Sequence, residues 1–374
     1  MLIFFSIRFI VGIIFFSSFL TGINIVKSIS LGMRILVPGG SGFIGSSIAV
    51  FLKKELNCDI LSIDNLSRKS SVFNINKLNE NEIKNTKIDL SSKKAFSQIN
   101  EKFDFIIDCC AEPAVEVAKY NRNLVFNSNL RSTLNILEKA KNDNSKIIYL
   151  STSRVYSINK INDLFKNFKL KSKLKRKISI SENFSTNSPI SLYGFSKLSS
   201  EMLIKEYSYL FKLKYIINRC GVISGSGQYG KQDQGFVSLW LWRHLNKMPL
   251  KYQGYGGFGN QVRDILDIQD LCELIKEQIL KISKINNRTF NVGGGIRNSL
   301  SLKELTSLSE KITKNSLNIG KSLNTSIYDI RYYVTNNKKV YSKYKWRVKK
   351  SIKEILKETL YTLNKNKSYL SKIL

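Results

Sequence analysis

A glycine-rich turn placed between a short apolar run and a helical stretch restricts the fold of this chain more than any other feature. Residues 34–38 (RILVP) lead directly into Gly39-Gly40-Ser41-Gly42-Phe43-Ile44-Gly45. A helical pattern follows over 46–55, and a second apolar run, DILSID, ends at Asp64, 19 residues after Gly45. In such a strand–turn–helix–strand unit Gly39 permits the tight turn and Gly42 lets backbone approach a pyrophosphate. Gly45 lets helix and strand pack closely. The free amides at the helix start, around Phe43 and Ile44, then face the phosphates. A glycine triplet alone is common. Triplet, strand, helix and acid in register predict a dinucleotide-binding α/β fold.

At the end of the second strand, Asp64, followed by Asn65, is placed to accept hydrogen bonds from an adenosine ribose and to repel a 2′-phosphate. That favours NAD over NADP, although Arg68 and Lys69 nearby leave NADP open. Further on, KIDL ends at Asp89-Leu90, and FDFIIDCCA runs into Cys109, Cys110 and Ala111. A helix is predicted over 124–141 and a fifth strand, KIIYLST, ends at Thr152. This βαβ alternation predicts a Rossmann-type, doubly wound parallel sheet covered on both faces.

Tyr193 and Lys197 lie in SLYGFSKLSSE, a segment of helical character in which i, i+4 spacing puts both on one face. An unperturbed tyrosine titrates near ~10 and is a poor base at neutral pH. An ammonium on the same face, together with a positive nicotinamide ring, is expected to lower that value. Such a tyrosine can take a proton from a sugar hydroxyl as hydride leaves its carbon. Thr152, at the carboxyl end of a strand, is placed to bond the same hydroxyl. A lone YxxxK is more often solvated surface. Its position 41 residues past Thr152, beyond the fifth strand of a dinucleotide domain, is what singles it out.

With GGSGFIG, Asp64, YLSTSRVY and YGFSK in place, the chain resembles the extended short-chain dehydrogenases, the family of UDP-galactose 4-epimerase and its relatives. The resemblance covers about residues 33–362. It implies that Thr152, Tyr193 and Lys197 form the catalytic set. Asp89, Leu90, the loop Cys109–Ala111 and Asn129 on the next helix would touch NAD. It also implies a homodimer formed through helices of the cofactor half, including the one bearing Tyr193. Dehydratases of this family carry Asp-Glu after the catalytic threonine, whereas Ser153-Arg154 follow here. What remains is transient oxidation to a keto-sugar with hydride return to the opposite face, or net dehydrogenation or reduction. DQG at 233–235, QVRD at 261–264 and FNVGGGIRNSLSLKEL from Phe290 are similar to the CDP-paratose 2-epimerase pattern within the family. Gln234, Arg263 and Arg331 are the implied contacts to a nucleotide-diphosphate sugar. The expected organisation is a Rossmann domain over 33–222, with a basic insertion at 157–180, and a smaller mixed α/β substrate-binding domain mainly over 223–374. Phe236, Trp240 and Trp242 are expected to pack rather than stack on sugar, and YKWRVKKSIKEILKETLYTL reads as a closing amphipathic helix. The KINDLFKNFKLKSKLKRK stretch (160–177) reads as a solvated loop.

Residues 1–32 stand apart. An 18-residue charge-free run, Phe9–Val26, reaches the lower limit for a membrane span. It reads as an anchor, as cleaved targeting, or as sequence upstream of a start at Met33. Membrane association is expected only through this segment. The net charge of +32 either marks attraction to polyanions or is a lysine bias spread over solvated faces. Lysine scattered along the whole chain favours the second reading, and no nucleic-acid partner is expected. The five cysteines form no CxxC pair, as in a reduced cytoplasmic protein. A single histidine, His244, excludes mechanisms that need several, including most zinc sites, and no metal is expected.

Overall fold

The computed structural model describes residues 32–166, 178–229 and 235–372. The first strands are β1 (Arg34–Pro38), β2 (Asp59–Asp64), β3 (Lys84–Lys87), β4 (Phe105–Asp108), β5 (Lys146–Thr152) and β6 (Tyr215–Cys220). Beyond them come β7 (Val222–Ser224), β8 (Lys251–Gln253), β9 (Val262–Asp267) and β10 (Arg288–Val292). The last strands are β11 (Ser299–Ser301), β12 (Gly320–Ser322) and β13 (Tyr332–Tyr333). Seven strands make one sheet in the order β10-β6-β5-β4-β1-β2-β3, every neighbouring pair parallel. Ile35, Leu36 and Val37 are fully buried, as expected of strands covered on both faces. The order reverses between β1 and β4, so the carboxyl ends of β1, β4 and β5 open onto one crevice.

Several expected elements shift. The third strand stops at Lys87, two residues before Asp89, because its partner β2 ends at Asp64 and the ladder ends with it. Asp89 turns the chain away by accepting the backbone N–H of Ser91 at 2.9 Å. The helix predicted over 124–141 is interrupted: Arg122–Phe126 and Ser132–Asp143 are joined by a π-type turn at Asn127–Arg131. Of the basic stretch expected to be a solvated loop, the first part lies in a helix, Ile158–Lys166, that buries Ile161 and Phe165; residues 167–177 lie outside the described residues. The closing helix is shorter than predicted. It spans Ile352–Lys365 behind a Ser351–Glu354 capping box. The preceding residues instead dock on the cofactor half, with Trp346 donating to the Asp270 carbonyl at 2.8 Å.

The C-terminal part divides between two layers. Strand β10 returns to the edge of the large sheet, and the helix Ile268–Lys281 packs on its face. The remainder builds a smaller unit around β11-β9-β13, with β7 pairing β9. There the helix Phe236–Leu245 packs against Leu302–Thr313 and Ile352–Lys365. Trp240 and Trp242 are core residues of this unit, and the Trp240 indole donates to Thr306 at 2.9 Å. No helix of the described residues is long and apolar enough to cross a membrane; the run 9–26 lies outside them.

A buried ion pair fixes the long helix Ser191–Phe211 on the sheet. Glu201, fully buried, accepts two forked bonds from Arg219 of β6, Nη2–Oε2 at 2.7 Å and Nε–Oε1 at 3.0 Å. Ser151 of β5 donates to the same carboxylate at 2.6 Å. Removing one member leaves an uncompensated buried charge. Glu201→Ala is therefore expected to cost about 3–5 kcal/mol in urea unfolding. Glu206→Ala, on the exposed face of the same helix, should change stability by less than about 0.5 kcal/mol.

Candidate active site

The glycine turn forms the floor of the crevice. Gly39 and Gly40 donate their N–H groups to the Ile63 carbonyl at 2.8 and 3.2 Å, locking the turn onto β2. Gly39 has φ +71°, and a Cβ there would sit 2.9 Å from the Cys109 backbone. At Gly45 a Cβ would lie 2.3 Å from the Gly39 carbonyl oxygen. The helix Phe43–Leu56 starts at Gly42 without a side-chain cap, so its first amides face the crevice uncapped. Phe43, Ile44 and Gly45 line a cleft of about 1050 Å³ with Gly39, Cys109 and Ala111. These residues fit a dinucleotide pyrophosphate.

The Asp64 carboxylate accepts from the Ser41 N–H at 3.1 Å and the Leu66 N–H at 2.9 Å, so it braces the turn itself. Burial raises its pKa against these two bonds. A carboxylate keeps further acceptor capacity for a ribose. Arg68 is paired with Glu112 at 3.2 Å, which ties up charge that a 2′-phosphate would require. Asn65 is exposed and accepts the Ser67 N–H.

The remaining expected cofactor contacts divide. Asp89 is exposed and Leu90 is buried beneath the sheet; neither lines the cleft. Asn129 is buried behind it, accepting the Glu112 N–H at 2.7 Å and donating to Ser196 at 2.9 Å. It thus ties the loop after β4 to the helix bearing Tyr193. Burial pushes the Cys109 and Cys110 thiols well above the ordinary cysteine value, which leaves them unreactive.

Thr152, at the end of β5, and Tyr193 both line the cleft, and the Thr152 hydroxyl accepts the Arg154 N–H at 3.2 Å. Lys197 follows one turn later, 1% exposed, with Nζ 3.4 Å from the Cys110 carbonyl and 4.1 Å from the centroid of the Tyr149 ring. In the protein alone, burial raises the Tyr193 pKa, and Lys197, Thr152 and Arg154 only partly offset it. The lowering expected from the sequence is therefore not achieved by Lys197 alone.

On the substrate side Arg263 lines the cleft and pairs with Asp329 at 3.1 Å. Arg331 does not line it; its guanidinium stacks 4.8 Å above the Tyr255 ring. Gln234 lies outside the described residues. Phe236 lines the cleft as well as packing on the smaller core. Sequence reasoning missed Asp329 and Tyr328, whose segment is brought over the cleft from the far end of the chain. Arg154 it used only to exclude dehydration, though two residues of separation from Thr152 were the signal that it stands in the same site. No cluster of three or more metal-binding side chains occurs among the described residues.

A family model described as "NAD dependent epimerase/dehydratase family" matches residues 35–293. The chain is 30% identical over 339 residues to CDP-paratose 2-epimerase of Salmonella typhi, spanning 86% of this chain and 96% of that one. It is 26% identical over 338 residues to UDP-glucuronate 4-epimerase of Thermodesulfobacterium geofontis, spanning 87% and 94%. Its fold matches the crystal structure of UDP-glucose 4-epimerase of Thermotoga maritima with a TM-score of 0.75 at 24% identity, covering 89% and 99%.

Because the atoms a Cβ at Gly45 would strike are backbone, they cannot move aside. Gly45→Ala is expected to weaken NAD binding by at least about tenfold in calorimetric titration, roughly 1.4 kcal/mol.

Proposed function

The chain belongs to the NAD dependent epimerase/dehydratase family, and from that premise we propose that it is a nucleotide-sugar epimerase of the CDP-paratose 2-epimerase kind. Its cofactor is NAD. NAD, when bound, supplies the acceptor and the donor of hydride. The protein's share is to hold the sugar and move one proton. Tyr193 takes the proton of the hydroxyl being oxidised and gives it back when the carbonyl is reduced. Thr152 orients the phenol and the hydroxyl, and Lys197 holds positive charge on the same helix face.

The observation that carries this reading is Thr152 and Tyr193 lining the cleft, with Lys197 buried one turn behind Tyr193, and Ser153-Arg154 after Thr152 rather than an acid and a base. Water elimination needs a second acid–base pair at the sugar, whereas inversion by oxidation and reduction needs only the one phenol. Identity of 30% to CDP-paratose 2-epimerase, against 26% to the UDP-glucuronate 4-epimerase at similar coverage, supports the 2-epimerase reading. Arg263 serves the nucleotide diphosphate, its guanidinium being suited to paired oxygens.

The active unit is a homodimer. On the helix Ser191–Phe211, Phe195, Met202 and Tyr209 recur every seven residues, exposed at 48%, 61% and 75%, with Leu210 beside them. An apolar stripe of that kind on an otherwise charged surface suits a second copy of the same helix.

Incubated with a panel of CDP- and UDP-sugars, the enzyme is expected to yield an epimer without net NADH. Proton NMR identifies the inverted carbon. Tyr193→Phe should lower kcat by about 10²–10⁴ while NAD binding persists. Stoichiometric NADH with an oxidised product would contradict the epimerase reading in favour of a dehydrogenase. Separately, Met202→Glu with Tyr209→Glu should convert a dimer to a monomer by light scattering, with secondary structure unchanged.

A further inference from the structure

Arg154 stands where the catalytic residues and the substrate side meet. Its N–H donates to the Thr152 hydroxyl at 3.2 Å. Its carbonyl lies against Gly194, where a Cβ would come within 2.2 Å, so the residue after Tyr193 has no room for a side chain. From this anchor the side chain crosses the cleft wall, and Nη1 donates to the Tyr328 carbonyl at 2.9 Å. Tyr328 precedes Asp329, the partner of Arg263. Arg154 therefore spans from the catalytic threonine to the segment that holds the other cleft arginine.

The charges do not balance. Two guanidiniums line this part of the cleft, and Asp329 is ion-paired with Arg263. Arg154 makes no ion pair among the described residues, and of its five N–H donors one is taken by Tyr328. Burial, then the Arg263 charge, pull its pKa down to about 10, while Asp329, Tyr193 and Tyr255 act the other way. Glu116, across the cleft, feels the same charge but is committed to Lys119 and Ser326. Positive charge left unpaired between Tyr193 and Arg263 calls for an anion that reaches both.

We propose that Arg154 is a substrate-binding residue that grips the sugar-bearing phosphate of the nucleotide diphosphate and presents to Tyr193 the hydroxyl next to the anomeric carbon. This rests on reading the site as one for nucleotide-diphosphate sugars. The phosphates are the anions every such substrate has. With Arg263 on the same diphosphate, the phosphate nearer Tyr193 is the one carrying the sugar. The hydroxyl closest to that phosphate is on the adjacent ring carbon; the hydroxyl across the ring points away. A cation between phosphate and phenol thus favours oxidation beside the anomeric centre. The same cation helps Tyr193 ionise, adding to Lys197 and the Thr152 hydroxyl against burial and Tyr149.

The test uses Arg154→Met and Arg154→Lys in the full-length chain loaded with NAD, with circular dichroism and melting as checks on folding. Binding of CDP and UDP is measured by calorimetry. Tyr193 ionisation is followed by fluorine NMR with a fluorinated tyrosine at position 193. Arg154→Met should lose roughly 10- to 100-fold in nucleoside diphosphate affinity and raise the Tyr193 titration by roughly one pH unit. Arg154→Lys keeps the charge but not the paired donors, so it should lose part of the affinity and leave the titration in place. Unchanged affinity in Arg154→Met overturns the proposal. So does lost affinity with no movement of the titration, which would confine Arg154 to phosphate binding. Failure of the unaltered protein to bind either diphosphate would instead bring down the reading of the site itself.

Discussion

A phenol withdrawn from water holds its proton more tightly, and the surroundings of Tyr193 are arranged against that tendency. Tyr193 is buried at the crevice where the strand order of the parallel sheet reverses, and burial is the largest influence on its ionisation. Lys197 on the same face, the Thr152 hydroxyl and the Arg154 guanidinium all act the other way. None of them outweighs burial in the protein alone. On the proposed reading Tyr193 becomes an effective base only once a further positive group arrives, and a positively charged nicotinamide ring is of that kind.

Such a balance works only if the phenol is held in register, and the helix that carries it is fixed from several sides. The Glu201–Arg219 pair joins it to β6, and Ser151 extends that joint to β5. Asn129 links it to the loop after β4 through Ser196 and Glu112. The π-type turn around Asn129 has a structural consequence here: it widens the helix so that a buried amide points at both neighbours. Gly194 lets Arg154 lie flush against the helix. Each contact joins this helix or its neighbours to a separate element of the fold.

Separation along the chain explains which parts were legible in the sequence. The glycine turn, Asp64 and the Tyr193–Lys197 pair were readable because their chemistry is local: backbone approach, a strand end, one helical turn. Thr152 was readable because a strand end marks it. Asp89 and Leu90 fall away from the cleft because the strand runs only to Lys87, which puts one in solvent and the other in the core. The return of β10 to the large sheet was invisible, since a short mixed run, RTFNV, does not announce its partner. Asp329 opposite Arg263 could not be seen at all, the two being 66 positions apart and brought together only by the smaller unit.

The proposed reaction is oxidation and reduction of a single carbon within one site, with the hydrogen that leaves returning to the same molecule. Deuterium placed on the carbon to be inverted, in a nucleotide sugar that the enzyme turns over, tests this in ordinary water. Retention of the label at that carbon in the epimeric product, read by mass spectrometry and NMR, is the result predicted. Its replacement by solvent hydrogen would show that the bond to carbon is broken as an acid rather than by hydride transfer, and would contradict the account.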